Sequence, residues 1–223
     1  MISAAHPFED IPVQYRERPV FAMTSPMRPD VASVVADFSP YGPGVRCFLS
    51  PFDALLDMLF LRRKDPNAVE AVARSSLLPL NIFYSSRFRQ RPLAVHLGWL
   101  AHDQRLVAQA DGQLIRVVRD QAPQWRMRPR CLEKMGIDSG TWAALEQLHE
   151  RAGLFAWCDT LQIVHQWFAE PAAAEPALQR SVAALEAIES IVVPVDRAEQ
   201  VALIDPESGQ WHFVPRDTIK LIH

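Results

Sequence analysis

Between Pro92 and Asp120 three apolar stretches follow one another: PLAVHLGWLA, RLVAQA and QLIRVVRD. The first break is His102-Asp103-Gln104 and the second is Asp111-Gly112. An Asp-Gly pair is a hairpin signal, because a tight turn needs φ > 0 at both central positions. The spacing predicts a β-meander, and the rest of the chain has to be built around it. Strands precede it, helical periodicity follows it, and strand patterns return at the end. That order points to an α+β fold rather than to alternating βαβ units. The expected architecture is a mixed or antiparallel sheet with a central meander, a C-terminal helical cluster and a terminal hairpin. The parts divide as residues 1–134 and 135–223, which can also form one compact unit.

Residues 1–44 carry seven prolines, which fix φ and remove donors, so long elements are excluded there. RPVFAM (18–23) reads as a short edge strand, and DVASVVADF (30–38) as a short helix or a strand. VRCFL (45–49) reads as a buried strand. Then Ser50-Pro51-Phe52-Asp53 opens a helix: a cap, a proline at the first helical position, and an acidic residue three after the cap. Phe52, Leu55, Leu56, Leu59 and Phe60 give it an apolar face, and Arg62, Arg63 and Lys64 suit its negative C-terminal end. Asp53 and Asp57 stand one turn apart. With no third ligand nearby in sequence, the helix accounts for both, and no metal is expected. The stretch CFLSPFDALLD resembles segments of small bacterial α+β proteins that serve as toxin-immunity or secretion-accessory factors. The resemblance carries no functional residue.

Residues 65–78 suggest a further short helix and PLNIFYSS a strand, while APQWRMRPRC reads as a loop. Three helices are then expected: one capped by Asp138 or Ser139 and ended by Gly153, one capped at Asp159, and one with Pro176 near its start. EPAAAEPA reads as the loop between the last two. A hairpin over Ala202–Val214 turns at Pro-Glu-Ser-Gly.

The 223 residues are 49% hydrophobic and 22% charged, as in ordinary globular proteins. No apolar run approaches a membrane span. The N-terminus lacks a basic start before an apolar core, so a cytoplasmic protein is expected. All but three of the 23 basic residues are arginine, which reads as the coding bias of a GC-rich bacterium. Cys47, Cys131 and Cys158 are widely spaced, and small buried hydrophobes are the expected role for all three.

No GxGxxG, GxxxxGK[ST], HExxH, GxSxG or EF-hand loop occurs, so no familiar nucleotide-binding or metal-dependent class is indicated. No cofactor is expected. The net charge of −3 hides an asymmetry. Residues 85–134 hold 10 Lys/Arg against 4 Asp/Glu, and residues 135–223 hold 5 against 13. The acidic part suits a basic protein partner. Trp142, Glu146, Glu150, Trp167, Glu170 and Trp211 are its candidate contacts, with tryptophan as the usual anchor. The leading expectation is therefore a non-catalytic protein that binds a macromolecule, as an immunity or adaptor protein does.

Two other readings follow from other residues. Arg87 and Arg89 flank Phe88, and Arg126 and Arg128 follow Trp125; arginine pairs with phosphate and aromatics stack on bases, so RNA or single-stranded DNA is a candidate ligand. An enzyme of hydrolase-like type would need a site assembled from dispersed residues. A cleft that holds two or more of His96, His102, His149 and His212 within hydrogen-bond reach would favour it.

Overall fold

The computed structural model describes residues 15–18, 20–25, 33–39, 42–69, 71–74, 93–121, 125–128 and 131–218. In chain order the elements are β1 (Tyr15–Arg18), β2 (Phe21–Ser25), β3 (Ser33–Val34), β4 (Ala36–Ser39), β5 (Gly42–Cys47), α1 (Pro51–Lys64), β6 (Ala71–Arg74), β7 (Leu93–His102), β8 (Arg105–Ala108), β9 (Arg116–Gln121), β10 (Trp125–Arg128), β11 (Cys131–Asp138), α2 (Ser139–Arg151), α3 (Trp157–Ala169), α4 (Pro171–Glu186), β12 (Ser190–Val192), β13 (Gln200–Ile204) and β14 (Trp211–Pro215). The fold is α+β.

Strand β7 organises the main sheet of eight strands. Its first half runs parallel to β5, pairing Leu93 with Val45 and Val95 with Cys47. Its last residues pair antiparallel with β13, Trp99 opposite Ala202 and Ala101 opposite Gln200. Antiparallel β9 lies against Leu93–Trp99, and β8 takes Ala101 and His102. Strand β12 adds to β8 in parallel, β14 adds to β13, and β4 adds to β5. Two three-stranded sheets, β1-β11-β10 and β3-β2-β6, complete the β structure.

The meander is present with one difference. Strands β8 and β9 both flank β7, instead of β9 lying outside β8. The turn between β7 and β8 places Asp103 at φ 48° and Gln104 at φ 58°, the pair of positive values that a two-residue hairpin needs. At the second turn Gly112 takes φ 85°, and the Asp111 carboxylate accepts from the Gln113 N–H at 3.0 Å and pairs with Lys64 at 2.9 Å.

Both faces of the sheet are covered. Along β13 side chains alternate: Val201 and Leu203 pack in a cluster with Trp142, Leu145 and Leu148 of α2, while Ala202 and Ile204 pack with Phe52 and Leu56 of α1, Val164 of α3 and Leu185 of α4. Every residue from Leu93 to Ala101 is buried.

Several expectations are corrected. Ala71–Arg74 is a strand paired with β2, not part of a helix, because Val72 and Ala73 find ladder partners in Met23 and Ala22. Trp125–Arg128 and Cys131–Asp138 form an antiparallel pair where a loop was expected. Helix α3 starts at Trp157, two residues before Asp159, with no side-chain cap. After Glu170 at the N-cap, the rest of EPAAAEPA lies within α4, because Pro171 sits at its first positions and alanine is the best helix former. Cys47 is buried as expected, whereas Cys158 is exposed on α3. The strand expected over PLNIFYSS lies outside the described residues. Among the described residues no helix is long and apolar enough to cross a membrane.

Candidate active-site cleft

Three chain segments converge at the N-terminus of α1. The first is the helix start itself. Ser50 has extended backbone, and its Oγ accepts from the N–H groups of Phe52 at 3.1 Å and Asp53 at 3.4 Å. This cap fixes the first turn and aims Asp53 away from the core face. His165 of α3 donates from Nε2 to the Leu49 carbonyl at 2.6 Å, which ties the strand end to the helices above.

The second segment is the end of α2. Asp138 caps that helix by accepting from the Thr141 N–H at 2.7 Å and its hydroxyl at 3.0 Å. In the last turn His149 donates from Nδ1 to the Leu145 carbonyl at 2.8 Å. Its ring stacks on Trp157 with centroids 4.5 Å apart and planes 20° off parallel. Gly153 at φ 77° ends the helix, and the chain returns through Leu154 and Phe155 to α3. The third segment is the β13–β14 turn. There Asp205 accepts from the Glu207 N–H at 3.0 Å and the Ser208 hydroxyl at 2.6 Å, while Thr160 of α3 donates to Glu207 Oε1 at 3.1 Å.

Between these segments lies an open cleft of about 210 Å³ lined by Asp53, His149, Phe155, Trp157, Asp205 and Glu207, among others. Beneath it is a chamber of about 30 Å³, room for one water-sized group. Ser50, Asp53, His149, Trp157, Leu161 and Ile204 border both spaces, and His96 borders the chamber. His96 is 4% exposed, sits at a bulge in β7, and lies against the rings of Trp99 and Phe48. Among the described residues neither of its ring nitrogens has a hydrogen-bond partner. Burial, then the charges of Arg116 and Arg46, hold this imidazole neutral, well below its ordinary pKa.

Asp53 and His149 are shifted in opposite directions. Burial, and then repulsion from Asp57, push the Asp53 carboxyl up to about 8. Asp57 is itself buried and paired, 2.6 Å from Arg46 Nη1 and 3.8 Å from Arg116 Nε. For His149, burial outweighs the stabilising bond to Leu145, and His212 adds to the effect; the imidazole is lowered to about 4. Among the described residues the Asp53 carboxyl has no hydrogen-bond partner, and His149 Nε2 is left open because Nδ1 carries the proton given to Leu145.

Two of the four candidate histidines, His96 and His149, meet at one chamber, and His212 is close enough to act on His149. His102 lies at the far end of β7, 3.3 Å from Glu199 and 3.7 Å from Asp103. Those three residues are the one group among the described residues whose ligand atoms lie within 4.8 Å of one another. Asp53, His96 and His149 form no such group among the described residues.

Of the three tryptophans expected as contacts, Trp142 is buried and Trp167 and Trp211 are half-buried. Trp142 is 2% exposed and donates from Nε1 to Glu146 at 2.6 Å, so it is a core residue, not a surface anchor. Trp167 lies under the guanidinium of Arg180 at 4.7 Å. Trp211 donates to the Ala184 carbonyl at 2.8 Å. Glu150 and Glu170 are exposed. Arg87 and Arg89 lie outside the described residues, and Arg126 and Arg128 fall on β10.

Asp53 was read only as a helix-start residue. It holds that position, and it also faces the cleft. Nothing in sequence spacing could show this, because its counterparts His149, Asp205 and Glu207 come from distant segments. Compared with family models, curated proteins and solved structures, the chain matches none.

Proposed function

We propose that this chain is an acid–base enzyme of hydrolase-like type acting on a small molecule held in the cleft. The observation that carries the reading is one cleft lined by a carboxyl without a hydrogen-bond partner and by an imidazole whose Nε2 is open. Their opposed shifts support it. Between about pH 4 and about pH 8 Asp53 keeps its proton and His149 lacks one. Pairs of titratable groups pushed apart by their surroundings are the usual basis of acid and base assignments.

In this reading His149 Nε2 accepts a proton from a water molecule as its oxygen bonds to an acyl carbon. Asp53 donates its proton to the oxygen or nitrogen that leaves. The products are an acid and an alcohol or amine, with His149 protonated and Asp53 ionised. The proton then passes from the weaker base to the stronger, from His149 to Asp53, and the resting state returns. Ser50 is not the nucleophile, because its Oγ already accepts two backbone N–H groups as the helix cap. His96 offers a neutral donor and acceptor at the floor.

The test is turnover of a panel of small neutral and cationic nitrophenyl esters and anilides. Activity is expected on a plateau between about pH 4 and about pH 8. Asp53→Asn and His149→Gln are expected to lower kcat on the order of 10²-fold or more with near-ultraviolet circular dichroism unchanged. Absence of turnover across the panel, or full activity in His149→Gln, overturns the reading.

A second reading, an immunity- or adaptor-like protein that binds a macromolecule, is favoured by Phe155, which is 79% exposed at the same cleft. A folded partner inserting a side chain there would cover it. Affinity capture with and without nuclease tests it, with Phe155→Ser as the control. Partners that vanish with nuclease would turn attention to the arginines of β10.

A further inference from the structure

We propose that the cleft selects a cationic ligand, a small amine or quaternary ammonium compound whose other end is an uncharged hydrogen-bonding group. The inference rests on the proposed function only for the identity of the cleft, not for turnover.

The rim supplies the charge selection. Asp205 and Glu207 stand on the β13–β14 turn, and among the described residues no lysine or arginine lines the cleft. Both carboxylates are held in place, Asp205 by the Glu207 N–H and Ser208, and Glu207 by Thr160. Glu207 Oε2 has no partner among the described residues, so it faces an incoming cation without first breaking a bond. Phe155 adds an exposed aromatic ring at the same mouth, and ring faces attract ammonium groups. An anion would meet two like charges that no cation among the described lining residues offsets, a repulsive element of the kind that sets specificity.

The floor supplies the other half of the ligand. A side chain as buried as His96, with both nitrogens unsatisfied, is costly to keep unless a group arrives to bond it. The chamber it borders admits a hydroxyl, a carbonyl oxygen or an amide nitrogen, and little more. A neutral imidazole can donate to one of these and accept from another. Rim and floor thus ask for different chemistry at the two ends of one molecule.

The probe is choline, which carries a quaternary ammonium and a hydroxyl, against dimethylbutanol, its uncharged carbon isostere, and butyrate, an anion of similar size. Binding is read by tryptophan fluorescence, since Trp157 borders the cleft, and by calorimetry. Choline is expected to bind at least about tenfold tighter than dimethylbutanol, and butyrate not at all. Asp205→Asn with Glu207→Gln is expected to erase the preference, and His96→Leu to weaken choline and dimethylbutanol alike. Equal binding of choline and its isostere, saturable binding of butyrate, no binding of choline at millimolar concentration, or a preference that survives the double substitution overturns the proposal. Choline binding without any ester or amide turnover keeps this inference and removes the catalytic one; turnover of neutral esters without cation preference does the reverse.

Discussion

Asp53 is where a residue's two roles conflict. At the third position of α1 a carboxylate would be favoured by the helix dipole. Enclosure beside Asp57 wins, and the group stays protonated. The cost has a measurable sign. Unfolded, Asp53 loses its proton near its ordinary value of 3.8, and folded it keeps it to about 8. Between these limits the folded state binds the extra proton, so stability falls as pH rises, by at most about 1.4 kcal/mol per pH unit. Asp53→Asn is expected to remove that slope, so its advantage over the wild type grows from pH 4 to pH 8. Urea denaturation at both ends of the range measures it, and equal slopes in the two proteins would refute the assignment. His149 acts the other way. Its lowered pKa makes the fold lose stability as pH falls from 6.5 towards 4.

At the scale of elements, α1 is the part most open to reading from its residues, because each of its signals is local. Ser50, Pro51 and the Arg62–Lys64 end all take their expected places. Ser50→Ala is expected to cost about 1 kcal/mol, and Ser50→Asn much less, since asparagine can accept the same N–H groups. Thermal unfolding of the pair separates the cap from packing, and equal losses in both would show that Ser50 acts otherwise. Two elements that differ from expectation share one reason. Ala71–Arg74 has the alanine of a helix, yet β2 offers it a ladder. Trp125–Arg128 is followed by Pro129, a loop signal, yet β11 draws it into a hairpin. In both, pairing with another strand overrides local preference. The cleft was illegible for the same reason. Asp53, His149 and Glu207 each had a sufficient local explanation, as helix start, helix face and turn, and only the fold brings them together.

At the scale of the whole molecule, β7 is the shared neighbour of β5, β8, β9 and β13. Its amides are expected to exchange with solvent only through global unfolding, as core strands do. A chain ending at Ala187 loses β12, β13 and β14, and with them the partners of Trp99, Leu100 and Ala101. That truncated chain is expected to lose its near-ultraviolet signal and to aggregate. A monomeric, cooperatively unfolding truncation would show that β7 is held without its C-terminal neighbour.

The order in which β7 finds its neighbours has a consequence for synthesis. β5 precedes it in the chain, β8 follows after a two-residue turn and β9 follows β8, but Ala202, the β13 partner of Trp99, emerges far later. At ribosomal speeds of about 5–20 residues per second the wait is on the order of 5–20 seconds. For that interval the nascent chain displays an apolar strand with the Trp99–Ala101 part of one edge unpaired, a form open to capture by another nascent chain or by a chaperone. Synonymous codons between β9 and β13 that slow translation would lengthen the exposure, so the soluble yield of this protein should depend on how fast its last third is made.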